Sequence, residues 1–118
     1  MRVIVAGSRD ITDYIFIRDS IYESNLGITT LISGNAHGVD QLGERWAKEN
    51  NIPIEIYPVT KEDWNTLGKK AGHIRNLKMA QNADALFAIW DGKSPGTKNM
   101  IENAIKHNLK LEVKYYDK

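Results

Sequence analysis

Short apolar runs alternate with amphipathic stretches along the chain. The runs are rich in β-branched residues and are bounded by glycine, asparagine or proline, which is typical of strands buried on both faces of a parallel sheet. The amphipathic stretches repeat apolar positions at the three- and four-residue spacing of a helix that faces a core. Strands are predicted at residues 2–6, 28–33, 54–59, 85–90 and 110–115.

Helices are predicted between these strands, at residues 14–24, 39–50, 73–82 and 97–107, with Thr97 as the cap of the last one. Residues 61–71 have no clear period and predict one helical turn around Trp64, followed by a glycine-containing connection. The core-facing positions predicted for the four helices are Tyr14, Ile17, Ile21; Val39, Leu42, Trp46, Ala47; Ile74, Leu77, Ala80; and Met100, Ile101, Ala104, Ile105.

The alternation of strand and helix predicts the architecture. Short connections between alternating elements favour a three-layer α/β sandwich with a mostly parallel, five-stranded sheet. A chain of 118 residues without a repeat, linker or low-complexity segment predicts one domain over residues 1–118. The apolar last strand and Trp46 leave room for self-association.

Composition excludes several classes of protein. The chain has 16 Lys and Arg against 15 Asp and Glu, and this net charge of +1 disfavours nucleic acid as a partner. It has no cysteine, which excludes a disulfide framework, a thiolate zinc site and a cysteine nucleophile. No apolar segment approaches the roughly 20 residues of a membrane span, and the amino terminus does not resemble a signal peptide. We therefore expect a cytoplasmic protein with no membrane partner.

The loops that follow the strands at 2–6, 28–33 and 85–90 are rich in glycine and small polar residues. Ligands bind at this edge of a parallel sheet, where glycine lets the backbone approach and N–H and hydroxyl groups hold phosphate oxygens. The loops therefore predict a nucleotide-sized site. Its predicted ligand-binding residues are Gly7, Ser8, Arg9, Asp10, Ser33, Gly34, Asn35, Ala36, His37, Gly38, Asp40, Arg75, Asn76, Asp91, Ser94, Gly96 and Thr97.

The two arginines of this set are the candidate anion-binding side chains. Arg9 follows a glycine turn, where a guanidinium can hold a phosphate or carboxylate with two hydrogen bonds. Arg75 is predicted in the first turn of its helix, where the helix dipole disfavours a cation unless an anion lies near it.

Two common phosphate-binding motifs are absent. The stretch Gly92-Lys93-Ser94 resembles the end of a P-loop, but the first glycine of that motif would fall on Phe87. The turn after the first strand does not match GxGxxG either. These mismatches argue against a P-loop NTPase and an ordinary dinucleotide-dependent oxidoreductase, and no cofactor is predicted.

The candidate catalytic carboxylates are Asp10, Asp40, Asp91 and Glu102. Each can act as an acid or base, and the three aspartates can also hydrogen-bond a ribose hydroxyl. Asp10 and Asp91 can instead be local turn or capping residues, and for Asp40 a role as a first-turn carboxylate at the helix dipole is an equally good explanation. The three histidines have no metal-ligand spacing, so no metal site is predicted.

Four ordered motifs resemble the YspA-like branch of the SLOG superfamily. They are residues 5–10 (VAGSRD), 33–40 (SGNAHGVD), 72–76 (GHIRN) and 90–97 (WDGKSPGT). The resemblance covers nearly the whole chain and implies a Rossmann-like fold that binds nucleotides or nucleotide-derived ligands, including NAD-related signals in bacterial and phage conflict systems.

Two related families define the functional alternatives. LOG phosphoribohydrolases cleave the N-glycosidic bond of nucleoside monophosphates with a PGGxGT motif followed by glutamates, whereas the corresponding loop here reads Ser94-Pro95-Gly96-Thr97-Lys98-Asn99. DNA-processing protein A is similar in its GSR and SGxAxGxD motifs and binds single-stranded DNA. The expected function is therefore to sense, carry or sequester a small ligand such as ADP-ribose, NAD or a cyclic ADP-ribose. The alternatives are a nucleotide N-glycosidase or phosphohydrolase and a single-strand nucleic-acid binder.

Overall fold

A parallel sheet of five strands forms the middle layer of the protein, in a computed structural model that describes residues 1–117. The strands are β1 (Arg2–Gly7), β2 (Thr30–Ser33), β3 (Ile54–Ile56), β4 (Ala85–Trp90) and β5 (Lys110–Tyr115). The helices are α1 (Tyr14–Ser24), α2 (Val39–Glu49), α3 (Lys61–Leu67), α4 (Lys70–Gln81) and α5 (Pro95–Lys106). The predicted Rossmann-like α/β sandwich is confirmed.

The strand order is β3-β2-β1-β4-β5, and every neighbouring pair is parallel. The chain builds outward from β1 through β2 to β3, and then crosses to the other side of β1 to form β4 and β5. The order therefore reverses between β1 and β4, and their carboxyl ends are where an open parallel sheet binds its ligands.

Two hydrophobic cores lie on the two faces of the sheet. Because successive strand residues point to opposite faces, Val3 and Val5 of β1 pack with α1 and α2, while Ile4 and Ala6 pack with α4 and α5. The short helix α3 contributes no buried residue to either core. None of the helices within residues 1–117 is long and apolar enough to cross a membrane.

Helix α1 has the predicted bounds because its end signals are strong. The Asp13 side chain accepts a hydrogen bond from the Phe16 N–H at 3.1 Å and caps the start of the helix. Asn25 ends it with a left-handed backbone at φ 54°, a conformation that asparagine tolerates better than most residues.

Helix α4 differs from its prediction in both start and orientation. It begins at Lys70, and its buried side includes Gly72, Asn76 and Met79, whereas Ile74 and Leu77 are 41% and 37% exposed. Asn76 takes a buried position because its side-chain amide donates to two acceptors of α5. The predicted core-facing role of Ile74 and Leu77 is wrong, since a bonded polar side chain orients this helix.

Helix α5 also begins earlier than predicted. Ser94 is the residue before the first turn and Pro95 is the first helical residue, a position where its missing N–H costs nothing. Thr97 is a buried residue of the first turn rather than the cap. Ile105, predicted to face the core, is 61% exposed.

Gly43 provides a test of the contact between α2 and β1. A Cβ at this position would lie 2.9 Å from Cγ1 of Val5, closer than carbon atoms normally approach. Gly43→Ala is therefore expected to lower the free energy of unfolding by about 1–3 kcal/mol, although alanine favours a helix. Gly27→Ala is the control, because a Cβ there meets no atom within 4 Å. Chemical denaturation measures both, and equal stabilities of the two variants would contradict the close packing.

Candidate functional site

A cavity of about 670 Å³ opens at the carboxyl edge of the sheet, where the strand order reverses. Its walls come from the loops after β1 and β2, from α3, from α4, and from the start of α5. The lining residues are Ala6, Arg9, Asp10, Ala36, Asp40, Trp64, Lys69, Gly72, His73, Arg75, Asn76, Met79, Ser94, Pro95, Gly96, Thr97 and Met100.

The structure brings nine of the predicted ligand-binding residues to this cavity. They are Arg9, Asp10, Ala36, Asp40, Arg75, Asn76, Ser94, Gly96 and Thr97. The others do not line it: Gly7, Ser8, Ser33, Gly34, Asn35, His37, Gly38 and Asp91. Of the candidate catalytic carboxylates, Asp10 and Asp40 line the cavity, whereas Glu102 is an exposed residue of α5 that does not.

Three loop glycines allow neighbouring segments of the chain to pack closely against each other. A Cβ on Gly7 would collide with the carbonyl oxygen of Ile89 in β4, and one on Gly34 would collide with the guanidinium of Arg75. Gly38 has φ 76°, and a Cβ there would lie 2.6 Å from the carbonyl oxygen of Ser8. These glycines let neighbouring loops approach one another, while Gly96 meets no atom within 4 Å of its Cβ position and lines the cavity.

Ser8 and Asp91 hold the loops after β1 and β4 together. The buried Ser8 hydroxyl accepts a hydrogen bond from the Asp91 N–H at 3.1 Å and lies 3.0 Å from Oγ of Ser94. The Asp91 carboxylate accepts from the N–H groups of Lys93 and Ser94, both at 2.8 Å. These hydrogen bonds lower the pKa of Asp91, which acts here as the acceptor of a tight turn.

Arg75 links α4 to the loop after β2. Its Nη1 donates to the carbonyl oxygen of Gly34 at 2.7 Å, and its Nε donates to Oδ1 of Asn76 at 3.0 Å. Because α4 begins at Lys70, Arg75 lies in the second turn, so the predicted conflict with the helix dipole does not arise. Burial lowers the pKa of Arg75, while the charge of Asp40 opposes this shift.

Asp40 is a buried carboxyl in the cavity wall, with only 5% of its surface exposed. Burial raises its pKa from the usual 3.8 to about 6, although the Ala36 N–H, 3.2 Å from its carboxylate, and the charge of Arg75 favour the ionised form. A carboxyl that titrates near neutral pH in a cavity can exchange protons with a ligand.

Glu44 is a second buried carboxyl that the sequence analysis did not single out. It accepts a hydrogen bond from the Ser33 hydroxyl at 2.7 Å and lies one helical turn after Asp40, whose pKa its charge raises further. With its side-chain amide turned to donate, Asn35 places Nδ2 3.0 Å from the Glu44 carboxylate. The four-residue spacing between Asp40 and Glu44 on an inward-facing helix was the signal that could have identified the pair.

The start of α5, which lines the cavity, has backbone donors without acceptors among the described residues. The N–H groups of Gly96 and Thr97, in the first turn, have no acceptor within residues 1–117. Asn76 fixes this turn by donating through Nδ2 to the Gly96 carbonyl at 3.2 Å and to Oδ1 of Asn99 at 3.0 Å. Free N–H groups at the positive end of a helix favour an anion.

Cationic side chains outnumber anionic ones around the cavity. Arg9, Lys69 and Arg75 line it, against Asp10 and Asp40. Arg9 is exposed and makes no side-chain hydrogen bond or ion pair within the described part of the chain. Over the same residues, the protein has no cluster of three His, Cys, Asp or Glu side chains that could hold a metal ion.

Trp64 and Lys69 reach the cavity from the segment with the weakest sequence signal, whereas His73 reaches it from the motif at residues 72–76. Residues 61–71 lack a helical period because α3 packs no face against the core, so a pattern of apolar positions could not reveal it. A capping box at its start, in which Thr60 and Asp63 exchange hydrogen bonds, was the available signal.

The raised pKa of Asp40 predicts how the stability of the protein changes with pH. Between about pH 4 and pH 6 the folded protein keeps a proton on Asp40 that the unfolded chain releases, so the free energy of unfolding falls as pH rises through this window. The free energy of unfolding falls by at most about 3 kcal/mol over this window, because each pKa unit between the folded and unfolded values corresponds to about 1.36 kcal/mol. Asp40→Asn is expected to remove this part of the pH dependence.

Denaturation by guanidinium chloride at pH values from 4 to 8 measures the effect. Asp10→Asn is the control, because it changes a carboxylate of the same cavity but leaves Asp40 in place. Parallel stability curves for the wild type and Asp40→Asn would contradict the raised pKa.

Comparison with known proteins identifies the family. A model of the YspA, cpYpsA-related SLOG family matches residues 1–65. The chain is 31% identical to the Gene 61 protein of Mycobacterium phage D29, over 92% of this chain and 91% of that protein. Its fold is similar to the X-ray structure of DNA processing protein A (DprA) from Streptococcus pneumoniae, with a TM-score of 0.77 at 17% identity over 95% of this chain. The match spans about half of that longer chain, 49% of its length. The chain belongs to the YspA, cpYpsA-related SLOG family.

Proposed function

We propose that the cavity binds a small nucleotide-derived ligand with an anionic phosphate group, of the ADP-ribose or NAD class, and that the protein senses, carries or sequesters it. Membership of the family and the position of the cavity at the reversal of strand order support a nucleotide-related role. The volume of about 670 Å³ lies within the range of small-molecule sites.

The observation that carries the proposal is the unpaired Arg9 in the same cavity as the free N–H groups of Gly96 and Thr97. A phosphate accepts hydrogen bonds from backbone N–H groups and from a guanidinium. Both kinds of hydrogen bond are stronger when the acceptor is charged. Ser94 adds a hydroxyl to this end of the cavity. Arg75 already donates to the protein through Nη1 and Nε, and it adds positive charge to the cavity wall.

Calorimetry with a ligand panel tests the proposal. The panel is ADP-ribose, cyclic ADP-ribose isomers, NAD, adenosine monophosphate (AMP) and a single-stranded oligonucleotide. We expect at least one small nucleotide to bind, and Arg9→Ala to weaken its affinity by about tenfold or more, because a charge-assisted hydrogen bond contributes roughly 1.5–3 kcal/mol.

Arg18→Ala is the matched control, because Arg18 is an exposed arginine of α1 that pairs with its neighbour Asp19 and does not line the cavity. Folded protein that binds none of the small ligands would contradict the proposal. Tight binding of the oligonucleotide alone, lost steeply as salt rises, would favour the nucleic-acid alternative instead.

Hydrolysis of the nucleotide is a second candidate function, favoured by one observation. Asp40 has a pKa raised to about 6 and lines the cavity, which suits a group that donates or accepts a proton near neutral pH. In this case Asp40 would act as the acid or base on the ligand. Asp10, exposed in the same cavity, is the other carboxylate within it.

Chromatography of nucleotides incubated with the protein tests this candidate. A true activity would fall by about a hundredfold or more in Asp40→Asn, the usual scale of a lost acid or base. Glu102→Gln is the control, because that side chain does not line the cavity. Turnover that survives the loss of both Asp40 and Asp10 would remove these residues as catalysts.

A further inference from the structure

Trp64 is an aromatic side chain in the wall of the cavity with no core to pack against. It belongs to α3, which buries none of its residues, and it is 39% exposed. Exposed tryptophan is costly because the indole is large and apolar. Its indole N–H donates no hydrogen bond within residues 1–117, in contrast to Trp90, whose Nε1 donates to the Ser94 carbonyl at 3.1 Å.

Gly72 makes room for the indole on the surface of α4. The Cη2 atom of Trp64 lies 3.4 Å from the position that a Cβ would occupy on Gly72, the contact distance of two carbon atoms. Two atoms of the six-membered ring, Cη2 and Cζ3, therefore lie next to the buried Gly72, while 39% of the Trp64 surface remains exposed. Both residues line the cavity.

The rest of the cavity wall consists of an apolar part and an anion-binding part. Met79, Met100 and Ala6, all buried, give it an apolar floor. The anion-binding groups come from other elements, namely Arg9 after β1 and the first turn of α5. A ligand that uses all of these surfaces needs an anionic group and a flat, largely apolar group.

We infer that Trp64 forms a nucleobase subsite, in which the indole stacks on the base of the ligand while its phosphate lies against Arg9 and the start of α5. This inference rests on the proposed function, and it adds the part of the ligand that the anion-binding groups do not recognise. Base–aromatic stacking tolerates any base because each has a π-face, so Trp64 selects for the presence of a base rather than its identity.

A pair of ligands that differ in the base tests the inference. AMP and ribose 5-phosphate share a phosphate and a sugar, so calorimetry on the full chain separates the two parts of the ligand. Trp64→Ala is expected to weaken AMP binding by about tenfold or more and to leave ribose 5-phosphate binding unchanged. Trp64→Phe, which keeps an aromatic ring, is expected to retain part of the AMP affinity.

Leu67→Ala is the matched control, because Leu67 is an exposed apolar residue of the same helix, 42% exposed, that does not line the cavity. It is expected to leave the affinity for AMP unchanged. AMP is also expected to quench tryptophan fluorescence in the wild type but not in Trp64→Phe, although Trp46 and Trp90 remain. All the variants are expected to fold, since α3 contributes no buried residue, and thermal unfolding checks this.

The outcomes separate this inference from the proposed function. Equal loss of AMP and ribose 5-phosphate affinity in Trp64→Ala, or the same loss in Leu67→Ala, would overturn the nucleobase subsite and leave the anion site standing. An unchanged AMP affinity in Trp64→Ala would overturn it as well. Folded wild-type protein that binds neither ligand, nor any other small nucleotide of the panel, would overturn both proposals.

Discussion

One turn of α4 joins the loop after β2 to α5 at the carboxyl edge of the sheet. Arg75 donates to the Gly34 carbonyl in the loop after β2, while the adjacent Asn76 donates to Gly96 and Asn99 in α5. Burying a guanidinium is unfavourable unless hydrogen bonds and a nearby negative charge compensate it, and the protein supplies both, the charge coming from Asp40. The positions of three elements around the cavity therefore depend on two consecutive polar side chains.

The glycine-rich loops serve two separate purposes. Gly7, Gly34 and Gly38 allow strands and loops to approach each other more closely than any side chain permits. Gly96 instead lines the cavity with open space at its Cβ position, where a ligand can approach the backbone. A glycine motif at the end of a strand thus predicts that loops converge, but it does not say which glycine faces the ligand.

The sequence predicted the elements that local rules determine. The bounds of α1 follow from the Asp13 cap and the left-handed Asn25, and β4 is recognisable as a continuous apolar run. The orientation of α4 could not be predicted, because it depends on Asn76 finding acceptors 20 and 23 residues further along the chain. An apolar pattern placed Ile74 and Leu77 inside, and tertiary hydrogen bonds placed them outside.

The sequence predicted the location of the candidate site, but it did not predict all of the residues that line it. The motifs located the edge of the sheet at which the cavity opens and both arginines that line it. They could not separate residues that face the cavity from those that hold the loops, such as Ser8 and Asp91, because that distinction depends on how neighbouring loops fold against each other. Trp64 lies outside every motif. Because its helix has no buried face, the sequence has no apolar period there either.

The lack of a buried face in α3 has a kinetic consequence. A segment with few buried contacts opens locally at a small free-energy cost, far below that of unfolding the sheet. Because Trp64 of α3 lines the cavity, such opening is expected to change access to it while leaving Arg75, Asn76 and the core in place. For the nucleotide ligand proposed above, we therefore expect the edge formed by α4 and α5 to determine which ligands fit and the opening of α3 to determine the residence time.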